Sequence, residues 1–315
     1  MDAGGRDSGN GGASCTGDTC GTTLASGLNG AAFVAIDSAN AYWTNASNTG
    51  VVMQVPLGGG PAITLASEQN GPLGIAVDAA YVYWADGPIG FVMRAPIGGG
   101  AIAQLNLDQF NIAGVAVDST SVYCTISQEA ATGGVTKISV GGGAPSQLAS
   151  RQGWALGIAV DSTSVYWVDS GGGTVSKVPI GGGTVTTVAS LSGTGPGGPE
   201  NVAFLALDST SVYWTSPMLG IVSKVPIGGG PPTTLASGQD VPHGIAVDST
   251  SVYWTCLGGG SGQGSVMKVP IAGGLPTTLA SGLTHPFGIA VNATTVVWTE
   301  DSESGAGRVA ALTPK

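Results

Sequence analysis

The chain holds two histidines, His243 and His285. Each stands just ahead of the same apolar motif, in P-H-G-I-A-V-D (242–248) and H-P-F-G-I-A-V-N (285–292). An imidazole titrates near neutrality, so two of them on the entry segments of adjacent copies suit proton transfer, one as acid and one as base. Asp240 and Glu200 are the carboxylates placed to join them. Phe287 offers an apolar or stacking surface beside them, and an aromatic wall with a few polar groups is the usual make-up of a small-ligand site. His243, Phe287, His285, Glu200 and Asp240 are therefore the candidate ligand-binding residues. None is assigned as catalytic, because most isolated histidines do no chemistry.

Other chemistries leave weaker marks. No cluster of His, Asp or Glu has the spacing of a metal centre, so no metal and no cofactor is expected. The G-G-G strings recur at one fixed point of a longer pattern, which reads as turn and not as phosphate loop. Neither a serine nucleophile elbow nor a P-loop is present. Cys15 and Cys20 stand in C-T-G-D-T-C, and their spacing permits a small disulfide loop in an oxidising compartment.

These residues belong to a repeat. One copy runs G-I-A-V-D-S-T-S-V-Y-W-V-D-S-G-G-G-T-V-S-K-V-P-I-G-G-G-T-V-T-T-V-A-S over residues 157–190. Its Asp161 recurs as Asp37, Asp78, Asp118, Asp208, Asp248 and, as an amide, Asn292, with spacings of 41, 40, 43, 47, 40 and 44. A period near forty residues with four short β-branched runs per copy predicts a four-stranded blade. Strand A is G-I-A-V, B is V-Y-W-T, C is V-S-K-V-P-I and D is T-T-L-A-S. A lone blade cannot cover both its faces, so the copies must stack in a ring. The expected fold is all-β: a seven-bladed β-propeller of four-stranded antiparallel blades, with essentially no helix.

The last copy supplies A, B and C and then the chain stops. Its missing strand D is found at the other end, as Thr22-Thr-Leu-Ala-Ser26. Residues 22–26 should therefore complete the last blade and close the ring. The expected organisation is a flexible Gly/Ser/Asp-rich linker over 1–21 and one propeller domain over 22–315.

The tryptophan of V-Y-W (Trp43, Trp84, Trp167, Trp214, Trp254, Trp298) recurs once per copy, which marks it as packing between blades. Cys124 takes its place in the third copy and reads as a small buried hydrophobe, while Cys256 belongs to the sixth copy, too far round the ring to pair with it. Both are expected to stay reduced. The basic residues Arg94, Lys137, Lys177, Lys224 and Lys268 recur at one point of strand C, which also points to a structural role.

The strings V-Y-W-T, K-V-P-I-G-G-G and T-T-L-A-S-G, followed by P-x-G-I-A-V-D, resemble the Y-W-T-D repeats of low-density-lipoprotein-receptor-type propellers. The segment Pro242–Asp248 is also similar to the NHL repeat. The likeness covers about residues 22–313 and implies an extracellular interaction module. It departs from the receptor pattern in blade number, since those propellers have six. It departs also in the fourth motif residue, which is Asp only at Asp86 and Asp169. NHL-type propellers include seven-bladed lyases with a catalytic histidine, which keeps an enzyme reading in play.

Strand order places the uniform A–B and C–D turns on one rim, the bottom, and the variable D–A and B–C loops on the other, the top. Variable loops on a rigid scaffold are where ligands usually sit, so binding is expected on the top face. The position before G-I-A-V should line the channel mouth; it reads Ala32, Leu73, Ala113, Leu156, Ala203, His243 and Phe287.

The formal net charge of −10 argues against nucleic acid or an anionic membrane as partner. No apolar run is long enough to span a bilayer as a helix. The Gly-rich start, without an apolar stretch, suggests that a signal or lipid-anchor segment lay upstream. The sequence thus predicts a secreted or cell-surface, acidic, monomeric propeller. It would act as a non-enzymatic binding or scaffold module for a protein, glycan or small molecule. The alternative is a polysaccharide or small-molecule lyase or hydrolase with its site at the top channel mouth.

Overall fold

A computed structural model describes residues 21–47, 49–87, 90–107, 109–128, 132–190, 204–259, 263–302 and 305–315. The expected Cys15–Cys20 bridge and Glu200 lie outside the described residues. Among the described residues, twenty-eight strands, β1 to β28 in chain order, form seven four-stranded antiparallel sheets.

Blade 4 shows how the repeat folds. Its strands are β14 (Ala155–Val160), β15 (Ser164–Asp169), β16 (Thr174–Pro179) and β17 (Thr186–Ser190). The turn between β14 and β15 is held by Asp161. Its Oδ1 accepts from the Thr163 and Ser164 backbone N–H groups at 2.6 and 2.7 Å, and its Oδ2 accepts from the Tyr166 hydroxyl at 2.9 Å. The same aspartate–tyrosine bond recurs in the first six blades. In blade 7 the tyrosine is Val297 and the aspartate is Asn292, whose Nδ2 instead donates to the Asp37 carbonyl of blade 1 at 3.1 Å. The amide oxygen still accepts from the Thr294 and Thr295 N–H groups, as the carboxylate does elsewhere, and the amide nitrogen adds a link across the seam.

Neighbouring blades are joined in three ways. The six repeat tryptophans are fully buried between them. Three find an amide at the end of the preceding blade: Trp84 Nε1 donates to Gln69, Trp167 to Gln152 and Trp254 to Gln239. On strand B, the hydroxyls of Thr44, Thr125, Thr215, Thr255 and Thr299 donate to a strand-A carbonyl of the next blade, Thr299 doing so across the seam to Ala32. Near the bottom, the strand-C cations reach one repeat onward. Lys137 donates to the Ile180 carbonyl, Lys177 to Ile227, Lys224 to Ile271 and Arg94 to Val140.

The ring closes as the sequence implied. β1 (Thr22–Leu28) pairs antiparallel with β28 (Gly307–Leu312), from Thr22 opposite Ala311 to Leu28 opposite Gly307. That pairing makes the first strand of the chain the outer strand of the last blade. Cys124 and Cys256 are buried free thiols.

Candidate functional site

Strands A stand close together around the axis. A β-carbon at Gly74 would lie 2.6 Å from the Ala113 carbonyl oxygen of the next blade, and one at Gly114 would lie 2.7 Å from that of Leu156. The repeat therefore uses glycine here, at Gly74, Gly114, Gly157, Gly244 and Gly288. Blades 1 and 5 carry Phe33 and Phe204 instead. Their rings meet 5.5 Å apart, edge to face. Blades 1 and 5 are not neighbours, so this contact is made across the axis.

Between them, from blades 6 and 7, come His243 and Phe287, with ring centroids 4.1 Å apart. Phe204 approaches His243 at 4.9 Å and Phe33 approaches Phe287 at 5.4 Å. Four rings from four blades thus fill one side of the channel. On the other side, blades 2 to 4 carry no ring: Gly74, Gly114 and Gly157 stand where blades 1 and 5 have phenylalanine, and Leu73, Ala113 and Leu156 where blades 6 and 7 have His243 and Phe287. A cavity of about 130 Å³ remains, lined by the glycines and Phe33, Phe204 and Phe287, with Ile75, Ile158, Ile245 and Ile289 among the aliphatic residues below.

His243 sits inside the ring cluster. Burial pushes its pKa down to about 4, against a weaker opposing pull from the Phe287 backbone. The imidazole is neutral at physiological pH, and its Nδ1 is buried without a hydrogen-bond partner. His285 stands in different surroundings, exposed on the loop ahead of blade 7. Asp240 is also exposed, and its Oδ1 accepts from the Gly259 N–H at 3.2 Å. Of the sequence-predicted residues, the structure brings His243 and Phe287 together at the axis and leaves His285 and Asp240 on the rim.

The motif-end carboxylates are not at the surface. Asp86 and Asp169 are buried at the top of strand B, and burial raises both above the ordinary carboxylate range. Among the described residues, no group of three or more His, Cys, Asp or Glu could hold a metal ion.

Phe33 and Phe204 were missed by sequence reasoning. The signal was present, as F in place of G in A-F-V-A-I and A-F-L-A-L, but nothing in one copy says that the two rings touch. A feature of the rim was missed as well. The residue just before strand A has a left-handed backbone: Gly30 and Gly71 in blades 1 and 2, but Asn111, Trp154, Val241 and His285, with φ of 58°, 53°, 54° and 42°, in blades 3, 4, 6 and 7. For Val and Trp this is an uncommon and costly conformation.

No protein-family model and no curated protein matches the sequence. Solved structures do resemble the fold. A streptogramin B lyase superposes with a TM-score of 0.75 at 9% identity, over 93% of this chain and 96% of that one. Virginiamycin B lyase from Staphylococcus aureus gives 0.70 at 10% identity, over 90% and 95%. A chain of a nidogen–laminin complex gives 0.60 at 19% identity, over 77% and 95%. At these identities the likeness shows a shared propeller fold.

Proposed function

We propose that the protein is a non-enzymatic binding module of the cell surface or extracellular space. It holds its ligand on the top face, with an apolar group of that ligand entering the axial mouth. One observation carries this reading. The departures from the repeat that fall at the axis (Phe33, Phe204, His243 and Phe287) come from four separate copies yet touch one another. What repeats seven times is scaffold; what departs from it and converges in space is specific to the task. The cavity beside the rings is about 130 Å³. That is close to an engineered apolar cavity of about 150 Å³ known to take benzene, so the expected guest is one aromatic ring or a branched alkyl group. The receptor-like repeat supports the extracellular setting.

A lyase or hydrolase at the same mouth is the second reading. It is favoured by the fold likeness to two lyases and by the neutral imidazole of His243.

The test is a glycan and small-molecule binding screen on the purified protein, with product analysis of every hit. The double variant His243→Ala/Phe287→Ala should weaken any validated ligand by at least about tenfold. Asp161→Ala, on the bottom rim, should leave affinity intact. It should lower stability by about 2–3 kcal/mol, since it removes the acceptor of several hydrogen bonds worth roughly 1 kcal/mol each. Binding lost in Asp161→Ala and kept in the double variant would overturn the assignment, and turnover of a hit would favour the enzyme reading.

A further inference from the structure

Blades 3 and 4 carry a second group of departures, on the rim and away from the axis. Trp154 lies outside the repeat position of the other six tryptophans and is 39% exposed; Phe110 is 65% exposed. Gln128 ties their loops together. Its Nε2 donates to the Phe110 carbonyl at 3.0 Å, and its own carbonyl accepts from the Trp154 N–H at 2.8 Å. Arg151 completes the group, exposed and three residues before Trp154.

Both Arg151 and Trp154 are held at a conformational cost. Arg151 has φ of 59° just after the A-S of strand D, where Glu68 of blade 1 has φ of 58° and other blades place Gly27, Gly238 and Gly282. Trp154 has φ of 53° where blades 1 and 2 place Gly30 and Gly71. The left-handed region crowds a β-carbon against the following carbonyl, so glycine is the unstrained choice. Other blades hold one such non-glycine residue each, at Glu68, Asn111, Val241 or His285, whereas two fall here within four residues, and both side chains are exposed. Most other cations of the described chain are engaged in the fold: Arg94, Lys137, Lys177 and Lys224 on carbonyls, Arg308 and Lys315 in ion pairs. Arg151 takes part in neither of the two ion pairs formed by the described residues.

We propose that this rim is a saccharide-binding site separate from the axial mouth. One sugar ring would lie against Trp154 and Phe110, with its polar groups bonded to the Arg151 guanidinium and the Gln128 amide oxygen. The chemistry matches. A pyranose offers a face of slightly positive C–H groups rimmed by hydroxyls, and an aromatic face is negative. Guanidinium supplies several donors in a planar fork, and the amide oxygen is an acceptor. A purely apolar guest would call for an enclosed pocket, whereas these rings stand open at the surface with polar groups beside them.

The test uses Trp154→Gly and Arg151→Gly, which install the glycine found at the first point in blades 1 and 2 and at the second as Gly27, Gly238 and Gly282, so both variants are expected to melt at or above the wild-type temperature. A panel of defined neutral and uronic-acid oligosaccharides is screened, and hits are measured by calorimetry. At least one should bind the wild type, lose about tenfold or more in affinity in Trp154→Gly, and weaken severalfold in Arg151→Gly. The neutral and acidic arms tell whether Arg151 serves hydroxyls or a carboxylate. The proposal is overturned if no oligosaccharide binds, if binding survives the double glycine variant, or if it is lost only in His243→Ala/Phe287→Ala, which would put the sugar at the axis. It also falls if the double glycine variant loses a peptide ligand and no sugar.

Discussion

His243 has to surrender its burial or its neutrality if it takes a proton, and the folded chain resists both. With its pKa pushed down to about 4 from the ordinary value of 6.5, the unfolded chain takes up the proton first as the pH falls. The sign follows: between those two values the unfolded state gains on the folded one, and the full penalty is present below pH 4. At about 1.4 kcal/mol per pH unit the total is on the order of 3 kcal/mol. Other groups move in the same range. The raised Asp86 and Asp169 favour the folded state as pH falls. Asp37, Asp118, Asp161 and Asp208 are different: burial alone would raise them, but turn N–H and tyrosine hydroxyl bonds outweigh it and hold them low, so their contribution is lost only below the usual carboxylate range. The clean readout is therefore a difference. Urea denaturation of wild type and His243→Phe should show a stability gap that changes by about 3 kcal/mol between pH 6.5 and 4, because the carboxylates cancel. A gap that stays flat over that window would mean that His243 is not held neutral by its surroundings.

At the scale of the element, the strand that closes the ring has the clearest consequence. β1 covers the open edge of β28, and Leu28 at its end is buried. Removing residues 1–20 leaves that strand whole. Removing 1–27 exposes the β28 edge and cuts a set of ladder bonds worth roughly 1 kcal/mol each, so it should cost at least about 3 kcal/mol more. Thermal melts of the two truncations that coincide would show that the seam contributes nothing. This closure was legible because T-T-L-A-S appears once out of place, at residues 22–26, and the last copy lacks it. The links between blades were only half legible. Recurrence marked the strand-C cations as structural, but their acceptors, such as Ile180 for Lys137, sit one repeat further along. A motif read within one copy cannot show a bond that leaves it. The strand-B threonines were hidden for the same reason, since their hydroxyls look like ordinary strand residues until the next blade is beside them.

For the whole molecule, sevenfold repetition and single-copy departures separate scaffold from site. The anchors Asp37 to Asn292 announced the blade count, while His243 and Phe287 were visible because they interrupt an Ala/Leu position. Phe33 and Phe204 replace a glycine instead, and their significance appears only when blades 1 and 5 face each other across the axis. This predicts what returning them to the repeat would do. Phe33→Gly with Phe204→Gly restores the residue found in the other five blades, so strands A should keep their spacing and the bottom turns should be untouched. Two half-buried rings and their edge contacts would be lost, the contacts alone worth about 0.5–1.5 kcal/mol each. Stability should therefore fall by a few kcal/mol, while the central cavity grows toward a through-channel. If the rings were only a plug, ligand binding would be unaffected, or would improve with the added space. If they form the wall of a site, a ligand seated at the mouth loses the surface it stacks on, and affinity should drop by at least about tenfold even though His243 and Phe287 remain. Titrating a validated axial ligand into the folded double variant decides between the two, and unchanged affinity would remove the aromatic wall from the binding site.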